Sequence, residues 1–252
     1  TLALDAETGF ALGLSNVQLW TCSRERPDKE ERDRAKLPIE LKESYKWLAS
    51  AERSQRCYQR GEAKIITHIG DREADLYEEW ATVPDRYNHV LVRVHQDRRL
   101  FGQTQSLYTY LSAQPCEGTY SVQVMADPRT GRTAREALLG ICCASVQIQR
   151  PEKLKGEDYP PSIKLYAVEA KEVNPPDGQD PIHWRLMTTH PVVAIEQALQ
   201  VIQWYCWRWW IEQLFAPLKL AGLDIEATQL ESIDAIQRLT LLALSVAVKT
   251  LQ

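Results

Sequence analysis

The apolar residues of this chain change their period along its length, and the order of those periods leaves few architectures open. Residues 64–69, with Ile65, Ile66, Thr67 and Ile69, are a short β-branched run suited to a central strand, ending at Gly70 and Asp71. A helical pattern starts at Asp71 and runs to about residue 82, and residues 89–95 read as a further strand. Ahead of this block, residues 1–20 read as a hairpin turning at Asp5–Gly9, residues 21–44 have loop composition, and a helix through Trp47, Leu48 and Ala51 reaches about residue 60. Strand-like runs follow at 120–125, 138–149, 163–170 and 184–188, separated by Pro, Gly and charged turns. Two helices, at about 193–220 and 232–252, close the chain. The order predicts an α/β fold, a mixed sheet flanked by helices. Residues 1–115 would supply the first part of the core, 116–190 a β-rich insertion, and 191–252 the closing helices.

With 252 residues and 44% hydrophobic content, the chain can bury one substantial core. Its net charge of −4 gives no global basic signature, so a nucleic-acid partner would be held by local Arg and Lys clusters. The six cysteines, Cys22, Cys57, Cys116, Cys142, Cys143 and Cys206, include no C-x-x-C pair. That spacing argues against a structural zinc site and a disulfide scaffold and points to a cytoplasmic setting. No signal peptide and no run of roughly 18 apolar residues is present, so neither secretion nor a membrane span is expected. The opening at Thr1, inside an apolar run, predicts that a preceding strand has been lost, and the last helix has no stop signal.

The chemistry is densest in Tyr205-Cys206-Trp207-Arg208-Trp209-Trp210-Ile211-Glu212, with Lys219 beyond. On one continuous helix at about 100° per residue, Tyr205, Arg208, Glu212 and Lys219 fall at roughly 0°, −60°, −20° and −40°, on one narrow face. Trp207, Trp210, Ile211, Leu214 and Leu218 take the other face. Such a stripe is either an ion-pair ladder at helical spacing or a metal ligand with phosphate-holding neighbours. Asp71 is a second carboxylate, placed where a strand ends and a helix begins. It reads either as an ordinary N-cap or as a ligand projecting from the sheet edge. Glu73 and Asp75 fit first-turn acids favoured by the helix dipole, and Asp75, one turn on, could support a site at Asp71.

These residues carry a resemblance. The pattern Tyr205-x2-Arg208-x3-Glu212-x6-Lys219 resembles the tyrosine, arginine, glutamate, lysine signature of the bacterial insertion-sequence DDE transposases of the cut-and-paste type. Asp71-Arg72-Glu73-Ala74-Asp75 is similar to the segment that holds their second catalytic aspartate. The likeness continues through Arg93, Asn174-Pro175-Pro176 and Trp184, in the family's order, over most of the chain. It implies a ribonuclease-H-like core with a β-rich insertion before the glutamate helix. It implies catalytic Asp71 and Glu212 holding Mg2+ or Mn2+ in a two-metal site for DNA cleavage and strand transfer. Tyr205, Arg208, Lys219 and Arg93 would hold DNA phosphates, and Trp184 would stack on a flipped base. Trp184 reads equally as a core or sheet tryptophan, one of eight in the chain. A homodimer around paired transposon ends would follow from the same likeness.

The chain departs from that family in two respects. The first catalytic aspartate would lie upstream of Thr1, so the fragment is not expected to catalyse alone; the alternative is an inactive DNA-binding relic of a decayed element. Asp5 does not fill the vacancy, because Asp5-Ala6-Glu7-Thr8-Gly9 reads as a hairpin turn. Pro217 should kink the helix before Lys219. Other basic positions, Arg53, Arg56, Arg60 and Lys64, and Arg129, Arg132 and Arg135, fit solvated faces or a grip on DNA backbone. The five histidines show no metal-like spacing, and His68 fits a satisfied sheet residue.

Overall fold

The computed structural model describes residues 1–20, 37–58, 61, 63–126, 133–219 and 223–252, so Cys22, Arg60, Arg129 and Arg132 lie outside the described residues. In chain order the strands are β1 (Leu2–Leu4), β2 (Ala11–Leu14), β3 (Ile66–Gly70), β4 (Asn88–Arg93), β5 (Gly118–Val124), β6 (Arg135–Gln149), β7 (Ser162–Glu172) and β8 (His183–Thr188). The helices are α1 (Tyr45–Tyr58), α2 (Tyr77–Thr82), α3 (Leu107–Ser112), α4 (Ile195–Trp207), α5 (Trp210–Lys219) and α6 (Ile233–Leu251). Contacts divide them into two compact units, one of residues 35–48 and 63–205, the other of residues 1–34, 49–62 and 206–252.

The first unit is an α/β body around a curled six-stranded sheet of order β3-β4-β8-β7-β6-β5. β3 and β4 run parallel, joined through α2, and all later pairings are antiparallel. Every strand of the 116–190 stretch therefore belongs to the same sheet as β3 and β4. In β4, Val90, Leu91 and Val92 are each 0% exposed, as expected of a strand covered on both faces. Tyr77, Trp80, Leu107, Leu111, Ala198, Val201 and Ile202 complete this core from α2, α3 and α4. No helix among the described residues is long and apolar enough to cross a membrane.

The second unit is built on the closing helices. Leu214 and Leu218 of α5 pack with Ala243, Leu244, Ala247 and Val248 of α6, and Leu14 and Val17 lie against that cluster. Its hairpin turns on Asp5, whose Oδ1 accepts the Thr8 N–H at 2.8 Å and the Thr8 hydroxyl at 2.7 Å. Gly9 closes the turn at φ +73°, and a Cβ there would stand 2.6 Å from the Trp207 ring.

Two predicted helices are interrupted. The pattern beginning at Asp71 forms a 3-10 turn over Arg72–Ala74, and α2 starts only at Tyr77. Between them Asp75 and Leu76 leave helical geometry, because the Asp75 side chain is taken by groups beyond β4. The long closing helix breaks at Arg208 and Trp209, where Trp209, Ile211 and Glu212 bond the carbonyl three residues back. A single helical wheel from Tyr205 to Lys219 therefore does not describe this segment. α3, which carries no side-chain cap bond, had no clear sequence signal.

Candidate functional site

Asp71 follows the last residue of β3. The 3-10 turn folds so closely over Gly70 that a Cβ at that position would stand 2.3 Å from the Ala74 Cβ. Only a glycine gives the chain this reversal without displacement. Asp71 Oδ1 accepts the Glu73 N–H at 2.8 Å, as an N-cap would. Its Oδ2 has no partner among the described residues, and the residue is half-buried. The capping role thus occupies one oxygen and leaves the other available. Glu73 points elsewhere and pairs with Lys46 at 2.8 Å.

Asp75 is fully committed. Its side chain is 0% exposed and receives Arg98 Nε at 3.0 Å and Nη2 at 2.5 Å on Oδ1, while Oδ2 accepts the His95 and Gln96 N–H groups. The carboxylate ties the start of α2 to the exit of β4; it is not left open toward Asp71.

Because β3 and β4 are parallel and β8 runs against β4, three chain segments meet at one end of the sheet: the exits of β3 and β4 and the entrance of β8. Open α/β sheets commonly place ligands at the carboxyl ends of parallel strands. Here that end holds a cavity of about 370 Å³ lined by Arg72, Arg93, Val94, His95, Tyr108, His183 and Arg185. Arg93 donates to the His183 carbonyl at 3.2 Å. Glu169, opposite Arg185 in the β7–β8 register and itself buried, accepts Arg185 Nε at 2.6 Å and sits 2.8 Å from His183 Nε2. The Arg185 guanidinium also lies 4.0 Å over the Tyr108 ring. Of these lining residues the sequence singled out Arg93 alone.

Trp184 alternates to the other face of β8 and meets Tyr205 edge-on, with ring centroids 6.0 Å apart. Tyr205 is only 7% exposed. In the other unit, Arg208 Nη2 reaches Glu212 Oε1 at 3.2 Å across one helical turn. This is the ion pair that the spacing allowed, between a partly buried guanidinium and an exposed carboxylate whose Oε2 has no partner among the described residues. Lys219 is exposed at the last position of α5, two residues after Pro217. The structure therefore brings together Trp184 with Tyr205 and Arg208 with Glu212, and it sets Asp71 and Arg93 at one sheet end. Asp71 and Glu212 belong to different units.

Several other basic positions have their own partners. Arg135 begins β6 and clamps Glu172 bidentately, Nε to Oε1 at 3.0 Å and Nη2 to Oε2 at 2.9 Å, with side-chain exposures of 11% and 3%. It is a structural cation, not an exposed grip. Arg56 pairs with Glu52 along α1, and Arg53 and Lys64 are exposed. His68 Nε2 meets Asn88 Oδ1 at 3.3 Å, and burial holds its pKa below the usual value.

The free oxygens of Asp71 and Glu212 are hard donors of the kind that Mg2+ or Mn2+ takes, so the donor chemistry fits such an ion. Among the described residues no three His, Cys, Asp or Glu side chains converge as a ready ligand group. No known protein-family model matches the chain.

Proposed function

We propose that this chain is a catalytic part of an enzyme that cuts and joins DNA by metal-assisted phosphoryl transfer. Within that class it is a portion of a cut-and-paste insertion-sequence transposase, its sheet unit belonging to a ribonuclease-H-like core. The observation that carries the reading is Asp71, which follows a parallel strand with one carboxylate oxygen uncommitted, at the sheet end where Arg93 leaves the neighbouring strand. The ordered motif through Tyr205, Arg208, Glu212 and Lys219 supplies the second half of the argument.

In this reading Asp71 and Glu212 each give a carboxylate to Mg2+ or Mn2+, which when bound supplies charge stabilisation and activates the attacking oxygen. Arg93 and Arg208 hold phosphate oxygens by planar two-point donation, and Lys219 adds a point charge. Trp184 presents an aromatic surface to a base, and the Tyr205 ring against it fixes its orientation. A homodimer on paired DNA ends is the working form, in the cytoplasm.

The Arg208–Glu212 pair favours one competing reading, in which the stripe is the ion-pair network of a structural α/β domain that binds no metal. Titration of Mn2+, followed by the electron-spin-resonance signal of the free ion, separates the two. Asp71→Asn keeps the turn hydrogen bond, and Glu212→Gln keeps the side-chain shape. The catalytic reading expects each to weaken Mn2+ binding at least about tenfold, or 1.4 kcal/mol. Unchanged affinity in both variants would sink it.

A further inference from the structure

We infer that the cavity at the exits of β3 and β4 is a phosphodiester-binding subsite, formed by Arg72, Arg93 and Arg185 with Glu169 as the positioning residue for Arg185. Nothing in the motif resemblance assigns Arg72, Arg185, His183 or Glu169 a role, and the inference rests on the proposed function only in taking the diester to be that of DNA.

The cavity walls carry three guanidinium groups. Neither Arg72 nor Arg93 has an ion-pair partner among the described residues, although Arg93 is held by the His183 carbonyl. The nearby carboxylates are few, and all but Asp71 are engaged. Asp75 is neutralised by Arg98. Glu169 is bound by Arg185 and His183. Asp97 accepts the Tyr108 N–H at 2.8 Å. A diester is the phosphate form that DNA presents, with one negative charge per backbone phosphate. Guanidinium groups also match phosphate geometry by paired N–H donation. The volume, about 370 Å³, lies in the range of sites that take a small organic group. A backbone segment with part of its sugar therefore has room.

Glu169 gives the subsite a fixed shape. Its carboxylate bonds Arg185 Nε, which leaves the two terminal nitrogens of that guanidinium to other acceptors, and the Tyr108 ring lies beneath it. An arginine fixed in this way gives up less conformational freedom when it binds an anion.

The test is fluorescence anisotropy of a labelled DNA duplex with the chain in EDTA, so that no metal-held contact contributes. Arg72→Gln is the leading variant because Arg72 is exposed and unpaired, and the fold does not depend on it. It should weaken binding about tenfold and reduce the slope of log affinity against log salt by about 1. Lys64→Gln, an exposed cation outside the cavity, is the control and should do neither. Glu169→Gln separates positioning from plain charge. Losing a negative charge should tighten DNA binding if only the field matters, whereas a positioning role predicts weaker binding despite the added net positive charge. Unchanged affinity and slope in Arg72→Gln would overturn the subsite, and tighter binding by Glu169→Gln would overturn the positioning role. Displacement of the duplex by millimolar inorganic phosphate at matched ionic strength would assign the cavity to free phosphate instead and overturn the diester. Because this assay holds no metal ion and the Mn2+ titration holds no DNA, failure of the subsite and failure of the proposed chemistry are read separately.

Discussion

Replacing Arg98 with Met should loosen the sheet end that carries Asp71, and the size of the effect follows from the local geometry. Arg98 and Asp75 have side-chain exposures of 6% and 0%. The guanidinium gives the carboxylate two hydrogen bonds, at 3.0 and 2.5 Å, and a third to the Asp75 carbonyl at 2.6 Å. Methionine fills much of the same volume and removes all three. Asp75 would keep its bonds from the His95 and Gln96 N–H groups, but its charge would be buried without a counter-ion. Breaking one side of such a pair costs about 3–5 kcal/mol, against about 0–1 kcal/mol for a surface pair. Because the chain has two units, the assay should report on the sheet alone. Hydrogen exchange of the β4 amides does so, and their protection should fall by the full amount. Asp75→Asn combined with Arg98→Met removes the stranded charge and should recover a large part of the loss. A fall below about 1 kcal/mol in the single variant would refute the argument, since it would place the pair in the surface class.

Three further outcomes test other parts of the molecule. Burial, with Asp75 nearby, pushes the Glu79 pKa up to about 8. A folded pKa above the unfolded one means that the folded state binds the proton more tightly, so stability should decline as pH rises from about 4.5 to about 8 and then level off. Glu79→Gln should flatten that slope in urea titrations run across the range; an unchanged slope would assign it to other groups. Gly70→Ala should cost about 1–3 kcal/mol by overpacking against Ala74, and should weaken Mn2+ binding by shifting the turn that holds Asp71, even though Asp71 itself is untouched. Leu214→Ala, at a position 2% exposed between α5 and α6, should cost about 2–5 kcal/mol in the helical unit while leaving β4 exchange unchanged.

The strands were the legible part of this fold. β3 showed as a β-branched run, and the edges of β6 and β7 moved by only a few residues from their sequence estimates. Their period is a local property, set by neighbours two residues apart. The helix breaks were not legible because their causes are not local. α2 starts late because Asp75 answers to Arg98, 23 residues on, and to the chain leaving β4. The gap between α4 and α5 lies in a tryptophan-rich run with helical period on either side, so periodicity alone gave no reason to divide it. The joining of 116–190 to the sheet of β3 and β4 depends on β8 pairing with β4, a contact between residues 90 or more apart.

The same distinction decides which arginines are available for chemistry. Arg135 and Arg93 look alike in the sequence, each a cation next to a strand. Arg135 lies at the start of β6, before Leu139, the residue that pairs with Glu172 in β7, and its side chain reaches along to Glu172, which accepts both Nε and Nη2. Arg93 leaves β4 where the facing strand offers only a backbone carbonyl, so most of its donors stay open to the cavity. Arg185 falls between these cases: Glu169 takes its Nε, and the terminal nitrogens remain. An arginine's use is therefore fixed by the acceptor that the pairing of distant strands brings within its reach, a quantity with no trace in composition or spacing. For this reason the motif pointed to Arg93 through resemblance while Arg72 and Arg185 went unread, although all three line one cavity.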